Sequence, residues 1–172
     1  MKQLRYLSCA LAFIFVGTFT QAQVRVGGGF TYGSKFEQPG VFARGEFQIP
    51  NKDLGIVASG NFYFPKSIED NNLGVETTLN RLALNLDGMY TFASNDFLDI
   101  YGLGGLNVLL ASSSTKISGF DSRKESDTTL GFGVGGGIRY KLESNLVPMA
   151  EIKYINGGQK ELVINIGVLF QL

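Results

Sequence analysis

The sequence predicts an all-β protein, a single eight-stranded, antiparallel, up-and-down barrel. Three observations carry that expectation. Apolar and polar residues alternate with period two in eight separate segments after residue 22. The connections between the segments are alternately short and long, with only INGGQK breaking the rule. The final stretch, NIGVLFQL, still alternates at its end: Ile166, Val168, Phe170 and Leu172 stand against Asn165, Gly167 and Gln171. Terminal residues usually fray, whereas strict alternation argues strand.

Residues 1–22 read as a separate object. MKQLR supplies Lys2 and Arg5, residues 6–19 are an apolar run, and TQA places small residues at Thr20 and Ala22. Charged, apolar, small-residue is the order of a secretory signal peptide. The run is too short for a spanning helix, which needs about 20 apolar residues. Cleavage is expected near Ala22, leaving one domain over residues 23–172. Cys9, the single cysteine, lies inside the apolar run rather than after it, which excludes a lipoprotein reading. The mature chain would contain no cysteine, hence no disulfide and no thiolate metal site.

The strands follow in order. Val24, Val26, Gly28, Phe30 and Tyr32 oppose Arg25, Gly27, Gly29 and Thr31. Val41, Ala43, Gly45, Phe47 and Ile49 oppose Phe42, Arg44, Glu46 and Gln48. Ile56, Ala58, Gly60, Phe62 and Phe64 oppose Val57, Ser59, Asn61 and Tyr63. The fourth strand sets Leu82, Leu84, Leu86, Tyr90 and Phe92 against Arg81, Ala83, Asn85, Asp87 and Met89. The fifth sets Leu98, Ile100, Leu106 and Val108 against Asp99, Tyr101, Leu103 and Asn107. The sixth is the most regular: Leu130, Phe132, Val134, Ile138 and Tyr140 against Gly131, Gly133, Gly135, Gly137, Arg139 and Lys141. The seventh sets Leu146, Pro148, Ala150, Ile152 and Tyr154 against Val147, Met149, Glu151 and Lys153; the eighth runs from Glu161 to the end. Each strand is expected to be about ten residues long, the transmembrane β-strand length. SKFEQPG, PKSIEDNNLGVET and ASSSTKISGFDSRKESDTT are read as long polar loops.

Alternation alone fits a soluble barrel with its apolar face inward or a membrane barrel with that face in lipid. Two features of composition favour lipid. The polar face carries both signs of charge together with glycine: Arg25, Arg44, Glu46, Arg81, Asp87, Asp99, Arg139, Lys141, Glu151, Lys153 and Glu161 all lie on it. Gly at four successive positions of one face weakens a strand, but in a narrow lumen it makes room for long side chains from the opposite wall. Aromatics on the apolar face also fall into two bands. Phe30, Tyr32, Phe62, Phe64, Phe132 and Tyr154 lie toward the long loops, and Phe47, Tyr90, Phe92, Tyr140 and Phe170 toward the short turns. Paired aromatic belts mark the two membrane interfaces.

The terminus adds a third feature. Asn165-x-Gly167-x-x-Phe170-x-Leu172 resembles the C-terminal assembly signal of bacterial outer-membrane barrels, departing from its typical form by ending in Leu with Phe two places before. The mature chain as a whole resembles the small eight-stranded outer-membrane barrels of the OmpX and OmpA membrane-domain type. The resemblance implies a Gram-negative-type outer membrane, surrounding lipid as partner and assembly by the outer-membrane insertion machinery. It implies no particular ligand, although the outer loops could meet an extracellular one.

Other chemistry is poorly supported. There is no His, so the commonest general base and metal ligand is missing. Basic and acidic residues balance at 15 each, which does not suit a nucleic-acid binder. Gly131 to Gly136 satisfies G-x-G-x-x-G but precedes IRYKL and a turn rather than a helix. Gly133 and Gly137 fit G-x-x-x-G without an apolar helix to host it, and Ser112 to Thr115 has no basic partner motif for a nucleophile. No catalytic, cofactor-binding or metal residue is expected. Nor is a peptidoglycan-binding domain after the last strand.

The expected function is a non-enzymatic structural or surface-interaction protein. A narrow channel or OmpW-like route for small hydrophobic molecules is the alternative, and a lipid-modifying enzyme a remote one. The lumen charges are read as a filled core, with Arg44, Arg81, Tyr101 and Arg139 occupying the space beside the glycines of strand six. Strands five and six are expected to pair residues summing to about 240, Asp99 opposite Lys141 and Tyr101 opposite Arg139.

Overall fold

The computed structural model describes residues 23–50, 52–70, 75–117, 123–142, 144–157 and 160–172. The expected signal peptide, residues 1–22, lies outside them. The strands are β1 (Gln23–Gly33), β2 (Gln38–Gln48), β3 (Leu54–Asp70), β4 (Val75–Ser94), β5 (Leu98–Ile117), β6 (Arg123–Tyr140), β7 (Leu146–Gly157) and β8 (Glu161–Gln171). They form one closed barrel in sequence order, with every neighbouring pair antiparallel. Closure is made by β1 and β8, paired from Arg25↔Gln171 to Gly33↔Val163. One further bond extends the seam, from the Leu172 N–H to the Val24 carbonyl (3.0 Å).

Period two fixes which way each side chain points. Phe30, Leu86, Phe92, Leu130, Phe132, Val134 and Ile166 stand on the outer wall, each more than half exposed. The inner positions between them are nearly sealed: Val57 and Leu169 are 0% exposed, Tyr101 and Met89 1%. An apolar exterior around a sealed interior is the inverse of a soluble barrel, and suits a wall bathed in lipid.

Two expectations need correction. Four strands are far longer than ten residues: β3 has 17, β4 and β5 have 20 each, and β6 has 18. Most of the two longer segments read as loops, residues 65–77 and 111–129, is therefore sheet. These four strands continue past the barrel rim as a blade. β2 stops pairing with β3 at Gly40↔Tyr63, and β7 stops pairing with β6 at Gly157↔Gly131. β4 and β5 pair on without a break to Val75↔Ile117, and β5 and β6 to Thr115↔Arg123. Beyond the rim neither face is buried in lipid, so nothing requires alternation there. The blade is instead rich in hydroxyls, which pair across strands: Ser67 with Thr78 at 3.0 Å and Thr77 with Thr115 at 3.3 Å.

The second correction is register. β5 and β6 pair residues summing to 238, so Asp99 faces Arg139 and Tyr101 faces Gly137. A slip of two residues leaves every side chain on its proper face. The sequence pattern therefore constrained parity but not the position of the hairpin tip.

The outer wall supplies a prediction. Ile166 lies midway along β8 and is 60% exposed, while Leu54 starts β3 at the short-turn end. Ile166→Arg is expected to destabilise the barrel by about 2–4 kcal/mol and Leu54→Arg by about 0–1 kcal/mol. Equilibrium unfolding of the refolded variants in lipid checks both. Equal costs would contradict a lipid-facing wall.

Candidate functional site

Eight strands enclose an interior just wide enough for side chains to fill. Five cations enter it, Arg25 from β1, Arg44 from β2, Arg81 from β4, Arg139 from β6 and Lys153 from β7, each at most 5% exposed. Five carboxylates meet them: Glu46 from β2, Asp87 from β4, Asp99 from β5, Glu151 from β7 and Glu161 from β8, equally buried. Among the described residues the sealed charges therefore sum to zero. Lys141 differs. It follows the end of β6, and its side chain is one-third exposed at the short-turn mouth.

Glu46 is the hub. Its Oε1 accepts from Arg44 Nε at 2.7 Å and its Oε2 from Arg139 Nη1 at 2.5 Å; Arg25 Nη1 stands 3.7 Å from Oε2. The Arg44 guanidinium spans onward to Glu151 Oε2, which also accepts from the Tyr101 hydroxyl at 3.1 Å. The Tyr101 ring lies 4.8 Å from the Arg139 guanidinium and 5.7 Å from that of Arg44. Cations over an aromatic face gain from its quadrupole. Toward the short turns, Asp99 forms ion pairs with Arg139 at 3.5 Å and Lys141 at 2.7 Å. Below this layer a polar vestibule of about 380 Å³ is lined by Arg25, Gln48, Asp53, Thr91 and Asp99 among others.

A second layer crosses the barrel at mid-height. Lys153 Nζ donates to both Asp87 oxygens at 2.7 Å and to Asn85 Oδ1 at 3.2 Å. Four asparagines run beside it in one direction. Asn107 donates to Asn85 (2.8 Å), Asn85 to Asn61 (3.1 Å), Asn61 to Asn165 (2.9 Å), and Asn165 to Glu151 Oε1 (3.2 Å). Asn61 Nδ2 is also 2.8 Å from the Thr31 hydroxyl. Each amide spends its donor on the next acceptor, and the chain ends on a carboxylate, so successive bonds polarise one another.

The third layer closes the blade end. Arg81 makes a bidentate pair with Glu161 and donates to Gln38 Oε1 at 3.2 Å. Its guanidinium lies over the rings of Phe36 (4.7 Å) and Tyr63 (4.6 Å). Phe36 belongs to the β1–β2 turn. That turn is held over the lumen by Lys66, which donates to the Phe36 carbonyl at 2.8 Å.

The glycines of β6 make this packing possible. A Cβ at Gly133 would collide with Lys153 Cε, and one at Gly137 would come within 2.5 Å of the Tyr101 hydroxyl. The space beside β6 is thus filled by Lys153 and Tyr101. Arg81 is not among the atoms nearest those two glycines; it pairs with Glu161 in the layer toward the blade. Asp87, which its place on the polar face makes available to a buried guanidinium, is paired with Lys153 instead. Among the residues matching the assembly pattern, Asn165 sits in the amide chain, while Phe170 and Leu172 face outward at 52% and 79% exposure. A Cβ at Gly167 would lie 2.8 Å from the Phe42 ring. Sequence reasoning noted the asparagines as inward polar residues but not as a chain, although their shared parity was the available signal. Phe36 sits in a turn and gave no signal.

The sequence profile of the outer membrane protein β-barrel domain matches residues 7–169. No curated protein sequence matches the chain. Among solved structures, a major outer membrane protein of Thermus thermophilus is similar at TM-score 0.70 and 14% identity, covering 88% of this chain and 99% of that one. Ail, the attachment invasion locus protein of Yersinia pestis, solved with the heparin analogue sucrose octasulfate, is similar at TM-score 0.63 and 14% identity, covering 88% and 99%. The N-terminal barrel domain of Pseudomonas aeruginosa OprF is similar at TM-score 0.58 and 19% identity, covering 88% and 98%. At these identities the likeness is one of fold.

The network has a graded mutational signature. Glu46→Ala takes away the carboxylate that three buried guanidinium groups share and is expected to cost about 3–5 kcal/mol. Asn107→Ala removes only the head of the amide chain, and Asn85 Oδ1 keeps Lys153. A loss of about 0.5–1.5 kcal/mol is expected there. Unfolding in urea measures both, and the order Glu46 over Asn107 is the result that matters.

Proposed function

The chain belongs to the outer-membrane protein β-barrel domain family, and on that premise we propose that it is a non-enzymatic surface-interaction protein. The barrel is its anchor and the blade of β3 to β6 its working surface. The packed lumen is the observation that carries this reading. Three charged or amide layers cross an interior already at the width side chains fill, and open pores need roughly 16 to 18 strands. With the interior occupied, the part of the molecule free to act is what stands beyond the rim. Long connections of outer-membrane barrels face the outside, which directs the blade there. The absence of His from the whole sequence also supports a non-enzymatic role. Ail has been solved with a heparin analogue, and an external ligand is the corresponding expectation for this chain.

The route to the membrane is part of the proposal. Residues 1–22 act as the exported leader, cut near Ala22. Asn165, Gly167, Phe170 and Leu172 form the signal read by the insertion machinery. Deleting Phe170 to Leu172 removes the outward aromatic and the last bond of the β1–β8 seam, and is expected to block insertion. A truncated protein that still shows the folded-barrel gel shift in outer-membrane fractions would contradict the signal assignment.

Two measurements test the functional reading. Refolded protein in planar bilayers is expected to give no steady single-channel current, and Glu46→Ala to lower stability without creating a selective channel. On intact cells, Ser126→Cys in the blade is expected to react with a membrane-impermeant maleimide. Stable currents in the wild type would favour the transport alternative. An unreactive cysteine at position 126 would place the blade on the wrong side for a surface role.

A further inference from the structure

The two ends of the lumen are finished differently. At the blade end the turn bearing Phe36 is held over Arg81 by Lys66. At the short-turn end lies the polar vestibule of about 380 Å³. That volume falls within the range of small-molecule sites, about 300–1,000 Å³. Its lining differs from an ordinary apolar pocket, since Val147 is the one aliphatic side chain among the described residues that line it.

The network behind the vestibule is not balanced. Arg25, Arg44 and Arg139 converge on Glu46, Arg44 also reaches Glu151, and Arg139 and Lys141 meet at Asp99. Those four cations share three carboxylates, which leaves one positive charge in excess. Asp53 also lines the cavity, but it is exposed in the β2–β3 turn, where water and salt screen it. Donors point the same way. Thr91 is 5% exposed, and its hydroxyl has no hydrogen-bond partner among the described residues, although buried polar groups are normally paired. Gln48 accepts from Arg25 Nη1 at 3.1 Å through Oε1, so its amide NH2 remains a donor. Lys141 is already bonded to Ser94 and the Asn95 carbonyl, both at 2.8 Å, and contributes charge at the mouth. An apolar solute or a cation does not suit such walls.

We propose that the vestibule binds a small hydroxylated anion, a monosaccharide-sized solute bearing one carboxylate or phosphate group. The anionic group sits between Arg25 and Lys141 and accepts from Thr91. The hydroxylated body meets the amides of Gln48 and Gln171. The site goes beyond the surface-interaction reading: the orientation that puts the blade outside opens this end to the periplasm.

The test uses the full chain refolded in lipid nanodiscs, which leave both ends in solvent. It is titrated with galacturonate, galactose 6-phosphate, galactose, acetate and inorganic phosphate. At least one of the two charged sugars is expected to bind about tenfold or more tightly than galactose and than the bare anion bearing the same group. Galacturonate ahead assigns a sugar acid, and galactose 6-phosphate ahead a sugar phosphate. Amide signals of residues 91–99 should shift, and those of residues 123–130 should not. Two nearly isosteric variants act in opposite directions. Gln48→Glu still accepts from Arg25 but cancels the excess charge, and is expected to weaken binding about tenfold. Asp53→Asn, an exposed change, is expected to tighten it about threefold. The folded-barrel gel shift checks each variant, and Asp53→Asn alone decides if Gln48→Glu does not fold. No saturation by either charged sugar up to high millimolar concentration would overturn the proposal. So would galactose or the bare anions binding equally well, the latter reducing the vestibule to a counter-ion trap, or an affinity unmoved by the variants. The Ser126→Cys labelling separates this site from the surface role. A reactive cysteine with no sugar binding leaves the surface role standing and removes the vestibule site, and the converse result does the reverse.

Discussion

Lipid offers no hydrogen-bond partner, so every backbone N–H and C=O within the membrane must be paired inside the protein. That constraint organises the whole molecule. A sheet satisfies it only by closing, and closure here depends on β8 meeting β1 over the ladder from Arg25↔Gln171 to Gly33↔Val163. Once eight strands close, the lumen width follows, and with it the volume that inward side chains must fill. Alternation then gives one sequence two jobs, an apolar wall for lipid and an interior free to be polar.

The interior is not uniformly polar, and that matters for its energetics. Phe42, Val147, Met149 and Leu169 form one apolar cluster, Val57, Met89, Tyr101 and Leu103 a second, and Tyr63, Ala83 and Leu109 a third. These clusters share the sealed interior with the charged layers. Low local dielectric strengthens each ion pair and makes each unpaired charge costly. The balance of five cations against five carboxylates is therefore a condition of packing such a lumen at all. Glu46 is shared by three guanidinium groups. The acceptor of Asn107, by contrast, has a second donor in Lys153.

How far this was readable in the sequence depends on what parity can carry. Strand number, order and the inward or outward direction of positions such as Leu169 and Ile166 follow from period two. Register does not, because a shift of two residues leaves every face unchanged, and Asp99 therefore met Arg139 across the ladder rather than Lys141. Contacts across the lumen are further out of reach. The filling of the Gly133 wall by Lys153 needs strand tilt and lysine length together, neither of which is a local property of the chain. The blade escapes the sequence pattern for a different reason. Ser112 to Thr115 and Ser126 to Thr129 lie in water on both faces, so the apolar alternation that announces a membrane strand is missing. A hydroxyl-rich sheet there looks like a loop.

The blade also inherits its order from the barrel. The β4–β5 ladder crosses the rim without a shift, its one irregularity lying at the short-turn end between Thr91 and Ala93. The β5–β6 ladder has none at all. Strands anchored in a charge-packed lumen thus enter water already aligned, and no separate core is needed to hold them. Their free edges differ because the rim differs. Beside β3, the turn bearing Phe36 folds inward to cap Arg81 and brings Lys66 with it, so sealing the lumen and blunting that edge are one arrangement. Beside β6, the β7–β8 connection makes no comparable contact among the described residues, and the edge stays open. Closing the barrel and exposing an edge are therefore two consequences of the same uneven strand lengths.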